Sequence, residues 1–297
     1  MDIPAFTSGD GMPELGTLIP VVSGAVAWVL RVPANEKLSE TVRHAVTESS
    51  HLLIVAENGS DATVEVVVQG PYGAMEVLTE ENATLTIVCI QESSGMIVQR
   101  SAIGAGASVR FQNVTLSERS DHDLKSETLG AGAFSTIDWI FYARRADTQK
   151  LSARNIFSAG NGGGEITLKG VAEEQAHVRC DGLIDIGQQG GGTNTFLSED
   201  VLMLDATAKV DAIPGLQIKT NDVRASHSAT VSKVTPEDLF YFASRGIDFD
   251  SARHMYVLGF LADLTGRIAD AVIRESVCSA IETKYARDVQ DSKDSNA

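Results

Sequence analysis

The 297-residue sequence predicts a mainly β protein, a parallel β-helix followed by a C-terminal α-helical domain, and three observations carry that prediction. From His51 to Val231 the chain is a series of short β-prone runs closed by glycine, asparagine or acidic residues, among them 63–68, 84–90, 108–116, 136–142, 177–186 and 223–231. A turn followed by a strand that opens on a small residue recurs at Asn82 and Ala83, at Gly106 and Ala107, at Gly132 and Ala133, and at Thr207 and Ala208. Small residues at repeated corners suit close coil-on-coil stacking. Finally, the runs Trp139, Ile140, Phe141, Tyr142 and Val201, Leu202, Met203, Leu204 are apolar on both faces of an extended chain, which implies burial on two sides.

The elements divide the chain into four stretches. Residues 1–50 mix turn formers with one helical candidate at 36–47, where Leu38, Val42 and Ala45/Val46 keep a helical spacing, and their structure is left open. Residues 51–232 form the expected β-helix core. At 233–286 the period switches to that of a helix: Thr235 is an apt N-cap, Pro236 fits the first helical position, and Glu237 and Asp238 favour the positive end of the helix dipole. This helix should end near Gly246. A second, starting around Asp250 and Ser251, runs long with Val257, Phe260/Leu261, Leu264, Ile268 and Ala271/Val272 as one apolar stripe that needs a partner surface. The tail 287–297 is polar throughout and expected to be disordered.

With 40 acidic against 24 basic residues, the formal charge of −16 repels phosphate backbones and anionic membranes, so neither nucleic acid nor membrane is an expected partner. The longest apolar run, 18–30, is broken by Pro20 and Gly24, is too short to cross a bilayer, and follows acidic rather than basic residues. A cytoplasmic location is therefore expected. Cys89, Cys180 and Cys278 are far apart and give neither a disulfide framework nor a local metal motif; the first two alternate with apolar residues and read as buried thiols.

No residue pattern demands an enzyme. The glycine clusters at 162–164 and 190–192 lie between β-runs and lack the lysine-serine/threonine pair of a phosphate loop, so they read as flexible turns. Carboxylate neighbours such as Glu173/Glu174 and Glu199/Asp200 are expected by chance in so acidic a chain, and no Gly-x-Ser-x-Gly elbow occurs. One residue stands out. Counting by twos from Val223, His227 shares a strand face with Ala225, Ala229 and Val231, which leaves two readings: a core histidine satisfied by its neighbours, or a ligand at a metal or protein-protein site.

The segment Asp222, Val223, Arg224, Ala225, Ser226, His227, Ser228, Ala229, Thr230, Val231, followed by Leu239, Phe240, Tyr241 and then Ser244, Arg245, Gly246, Ile247, resembles the SufB/SufD family of iron-sulfur cluster assembly scaffolds. There the same region reads Ser-His-Gly-Ala-Thr-Val and Leu-Phe-Tyr-Leu-x-Ser-Arg-Gly-Ile. Weaker similarity extends the match over roughly 80–275. The resemblance implies a right-handed parallel β-helix with a C-terminal helical domain. It also implies a non-enzymatic scaffold that pairs through its β-helix with a SufB-like protomer or a second copy of itself. An ABC-type ATPase, SufC, is then recruited through the helical domain; Leu239, Phe240, Tyr241, Arg245, Gly246 and Phe260 are the docking candidates, and the second helix's stripe would find its surface there. Cofactors implied are a transient iron-sulfur cluster at the protomer interface and ATP through the partner alone. His227 falls on the histidine that SufD-type members place at that interface. Ser228 stands where SufB-type members have glutamate, so the chain is more similar to SufD. A cysteine that SufB-type members carry one strand earlier aligns with Glu199, a candidate oxygen ligand, whereas Cys180 matches an earlier strand. Structural and carbohydrate-active β-solenoids are the rival classes.

Overall fold

Asparagine and glycine corners stacked along one edge set the architecture. Asn35, Gly59, Asn82, Gly106, Gly132, Asn161 and Gly192 all have positive φ, a conformation that these two residue types reach at least cost. Each donates its backbone N–H to a carbonyl of the following coil, as Asn82 does to Ala105, Gly106 to Ala131 and Asn161 to Gly191. The asparagine side chains fill the space that the glycines leave: a Cβ on Gly106 would come within 2.6 Å of Asn82 Oδ1. This is the recurring turn of the sequence, and the alanines after it, Ala83, Ala107 and Ala133, are fully buried where the chain enters the next strand.

The computed structural model describes residues 7–8, 16–20 and 23–294. Strands run in chain order as β1 (Thr7–Ser8), β2 (Val26–Val32), β3 (Val42–Val46), β4 (Ser50–Ala56), β5 (Asp61–Val68), β6 (Tyr72–Thr79), β7 (Thr84–Gln91), β8 (Gly95–Ile103) and β9 (Ser108–Thr115). They continue as β10 (Arg119–Thr128), β11 (Phe134–Ala143), β12 (Thr148–Phe157), β13 (Gly163–Ala172), β14 (His177–Ile186), β15 (Thr193–Met203), β16 (Lys209–Ala212), β17 (Gly215–Ile218) and β18 (Val223–Lys233). The even strands β2 to β16 form one parallel sheet, with β1 antiparallel on β2 and β17 also on β14; the odd strands β3 to β15, with β18 beyond β15, form the other. The result is a parallel β-solenoid of about eight turns. Its core is Val64, Val66, Leu85, Ile87, Phe111, Trp139, Phe141, Leu168 and their neighbours, each large side chain contributing about 1.5–3 kcal/mol by leaving water.

Three helices follow, α1 (Pro236–Ala243), α2 (Phe249–Gly266) and α3 (Ala271–Asp294); α1 packs on α2, and the strands that are apolar on both faces owe their second face to α2 and α3. Val88, Ile90, Val114, Ile140, Tyr142, Val171, Leu202 and Leu204 on the outside of the odd sheet pack against Val257, Leu261, Leu264, Ile268, Ile273, Val277 and Ile281. The stripe's partner surface is thus the chain's own sheet rather than another protein. Charged groups lock this seam: Glu173 Oε1 accepts from the Tyr142 hydroxyl at 2.8 Å and lies 3.0 Å from Arg144 Nε, and Arg253 reaches Asp205 at 2.8 Å.

Three expectations are corrected. The helix at 36–47 is absent, and Val42–Val46 is strand β3: Val42 and Val46 are buried while Arg43 and Ala45 point out, an alternation that the short window also permits. The solenoid consequently begins before His51, at β2. The long second helix is broken after Gly266, because Asp270 caps a new one by accepting from the Val272 and Ile273 N–H groups, leaving Val272 66% exposed. In the tail, α3 carries the backbone helix to Asp294, and residues 295–297 lie outside those described, as do residues 21–22 of the apolar run.

Candidate functional site

A solenoid must do something with its last coil. Here the odd sheet ends on β18, eleven residues long and exposed or half-exposed throughout, with one edge unpaired. The even sheet ends on β16 and β17, of four residues each. Ile213, Ile218 and Val231 are exposed at this end, at 41%, 44% and 44%.

His227 belongs to that coil. In the parallel ladder it sits opposite Leu197, a core residue, so it stands on the inward side as the alternation predicts. It is nonetheless exposed, and neither ring nitrogen has a partner among the described residues, because no further coil covers it. A satisfied core histidine is ruled out by that exposure. What sequence periodicity gives is the face; it cannot give the absence of a next layer.

Glu199 lies on β15, the strand that pairs directly with β18, and its register partner is Ala229. From strand spacing and rise, its Cα is about 8 Å from that of His227 on the same sheet face. The side chain is fully buried, which settles its direction inward. Oε1 accepts the Gly182 N–H at 2.8 Å, and Oε2 has no partner. Gly182 makes the room, since a Cβ there would come within 2.8 Å of Oε1. Burial pushes this carboxyl up to about 7, with the Gly182 N–H and the nearby Ile213 N–H, itself bonded to the Cys180 carbonyl, opposing and the Asp181 charge adding to the shift.

Cys180, on β14, is also fully buried, and burial together with the Glu199 charge holds its thiol well above the ordinary range. A carboxyl and an imidazole therefore occupy paired strands near the open end, and a thiol close to the carboxyl comes from the other sheet. Sequence reasoning did not join Cys180 to Glu199, because they lie in different sheets. Among the described residues no three such groups are close enough to hold a metal ion unaided.

The docking candidates divide. Phe240 and Tyr241 are 72% and 56% exposed, Arg245 lies over the Tyr241 ring at 5.2 Å, and Leu239, Phe240, Gly246 and Phe249 line an apolar groove between α1 and α2. Thr235 caps α1 through Asp238, and Gly246 turns the chain at φ +80°. Phe260 is elsewhere, half-buried against the solenoid with Lys169 Nζ 4.8 Å above its ring. No helix among the described residues is long and apolar enough to cross a membrane.

Residues 39–260 match the family model described as SUF system FeS cluster assembly, SufBD core domain. The chain is 29% identical over 277 residues to iron-sulfur cluster assembly protein SufD of Bacillus subtilis, covering 86% of this chain and 63% of that protein. It is 25% identical over 254 residues to an iron-sulfur cluster assembly SufBD family protein of Staphylococcus saprophyticus, covering 79% and 55%. A third relative, the SufBD family protein of Staphylococcus epidermidis, is 32% identical over 137 residues, 46% of this chain and 30% of the other. The chain thus spans less than two thirds of the length of each.

Proposed function

This chain belongs to the SufBD family of iron-sulfur cluster assembly proteins, and from that premise we propose that it is a scaffold subunit which pairs through the open end of its solenoid and recruits an ABC-type, SufC-like ATPase through the α1–α2 groove. The observation that carries the reading is His227, inward-facing yet uncovered on an unpaired edge strand, with the buried Glu199 carboxyl on the strand beneath. An uncovered edge with apolar residues around it favours a second protomer, either SufB-like or identical. Pairing there encloses His227 and supplies ligands that one chain lacks.

The cluster is cargo. Its iron would meet a neutral imidazole and, where Glu199 loses its proton, a hard oxygen donor. Because that carboxyl holds its proton up to about pH 7, metal capture there releases a proton and weakens in acid. ATP hydrolysis belongs to the partner, and the ion-paired seam between helices and odd sheet, crossed by Arg253 and Lys284, is a rigid route by which ATPase movement would reach the paired scaffolds. Anaerobic co-purification with the ATPase, followed by an absorption spectrum, tests the reading. Co-elution with iron-sulfur absorbance supports it; a chain that neither binds the ATPase nor carries colour sinks it.

A further inference from the structure

The outer face of the odd sheet carries a second feature, away from the open interior. A groove of about 1170 Å³ crosses β9, β11, β13, β15 and β18. Its floor is β13, where Gly163 and Gly164 bear no side chains. The Phe134 ring lies over Gly163, so that a Cβ there would come within 2.5 Å of it. The β11–β13 ladder is interrupted at this point, passing from the Phe134–Gly163 pair to Ile137–Ile166, with Gly164 at φ +128°.

Two exposed rings flank the floor: Phe134, 48% exposed, on β11 and Phe196, 36% exposed, on β15. The Phe134 ring leans over Gly163 on the strand between, and one flat ring can stack on the exposed Phe196 ring above this floor, with the Phe134 ring at its edge. Glu165 rises between them, in register with Phe196, and has no partner among the described residues. Cations stand at both ends. Arg224 on β18 is unpaired among the described residues, and Arg110 and Arg267 both pair with Asp138, at 2.5 and 2.8 Å, with Arg267 also reaching Asp263 at 3.5 Å. In a chain of formal charge −16 such a concentration of arginine is anomalous.

The geometry points to a binding site for a guanine nucleotide, the base stacked against Phe196 and Phe134, its paired N–H donors on Glu165, and its phosphates on arginine. Guanine presents two neighbouring N–H groups, which one carboxylate accepts together, whereas adenine sets a single amino group beside an acceptor nitrogen. Arginine is the side chain best suited to phosphate oxygens, and aromatic stacking alone contributes about tenfold or more in affinity. Arg224 lies on β18, the strand of the proposed pairing edge, but that pairing requires no nucleotide, so failure to bind GDP leaves the reading above intact.

The test is calorimetric titration of the full chain with GDP, ADP, guanosine and inorganic phosphate. GDP should bind at least about tenfold more tightly than each of the other three. Phe196→Ala should weaken GDP about tenfold, Arg224→Gln should weaken GDP and leave guanosine unchanged, and Glu165→Gln should abolish the preference of GDP over ADP. All three side chains are exposed or nearly so, and unchanged thermal unfolding would show the variants folded. Absence of GDP binding at millimolar concentration, equal binding of GDP and ADP, equal binding of phosphate alone, or a preference that survives Glu165→Gln would each overturn the assignment.

Discussion

The two ends of the solenoid treat their buried carboxyl groups in opposite ways. At the N-terminal end His51 and Glu76 are fully buried beneath the segment 16–20, and the Glu76 carboxylate is saturated: it accepts His51 Nε2 at 2.5 Å, the Gly16 N–H at 2.6 Å and the Leu18 N–H at 2.5 Å. The edge strand β3 is five residues long and covered in part by the Trp28–His44 ring contact. At the C-terminal end the edge strand has eleven residues, His227 has no partner, and Glu199 keeps one oxygen unsatisfied. A solenoid needs caps, and among the described residues this one closes one end with its own chain and leaves the edge strand of the other uncovered.

Titration follows the same division. Burial raises Glu76, but the donors from His51, Leu18 and Gly16 outweigh it, so its folded value lies below the ordinary one. The stability it contributes is present above the ordinary carboxylate range and lost as pH falls through the folded value. Glu199 is shifted the other way, from 4.5 to about 7. Its contribution is complete below pH 4.5 and is lost as pH rises through about 7. Acid should loosen the closed end, and neutral pH should strain the open one.

The largest effect is expected from Glu76→Ala, which strands a buried imidazole and two backbone N–H groups: urea unfolding should show a loss of about 3–5 kcal/mol. Leu264→Ala, beneath the helices, should cost about 3 kcal/mol by leaving a cavity against the odd sheet. Glu199→Gln should instead raise stability at pH 8 by on the order of 2–3 kcal/mol and flatten its pH dependence between 4.5 and 7; a loss of stability at pH 8 would show that the carboxylate is satisfied after all. Smallest is Val231→Lys on the uncovered face, which should shift unfolding by no more than about 0.5 kcal/mol while preventing protomer pairing in size-exclusion chromatography.

Much of the fold was legible because corner chemistry and double-faced strands are local. Ala83, Ala107 and Ala133 mark the coils, and Ile140 and Leu202 mark the outer face that the helices cover. The inward side of His227 was legible for the same reason. Its exposure was not, since alternation reports a face and not whether another coil follows. The break before α3 was missed because Asp270 acts through contacts remote in sequence as well as through its cap: it also accepts from Thr41 at 2.6 Å and pairs with Arg43 at 3.1 Å. The glycines at 162–164 and 190–192 read as flexible turns, whereas Gly163 and Gly164 are strand and Gly192 is a hydrogen-bonded corner.

The comparison of the ends comes down to two histidines. Iron and sulfide should be quantified in complexes purified anaerobically with the ATPase and scaffold partner, for His227→Ala and His51→Ala, alongside the unfolding midpoint of each variant. His227→Ala should lose most of its cluster and keep its midpoint, and His51→Ala should lower the midpoint while the folded fraction loads normally. A His227→Ala complex that loads iron and sulfide like the unaltered protein would contradict the account.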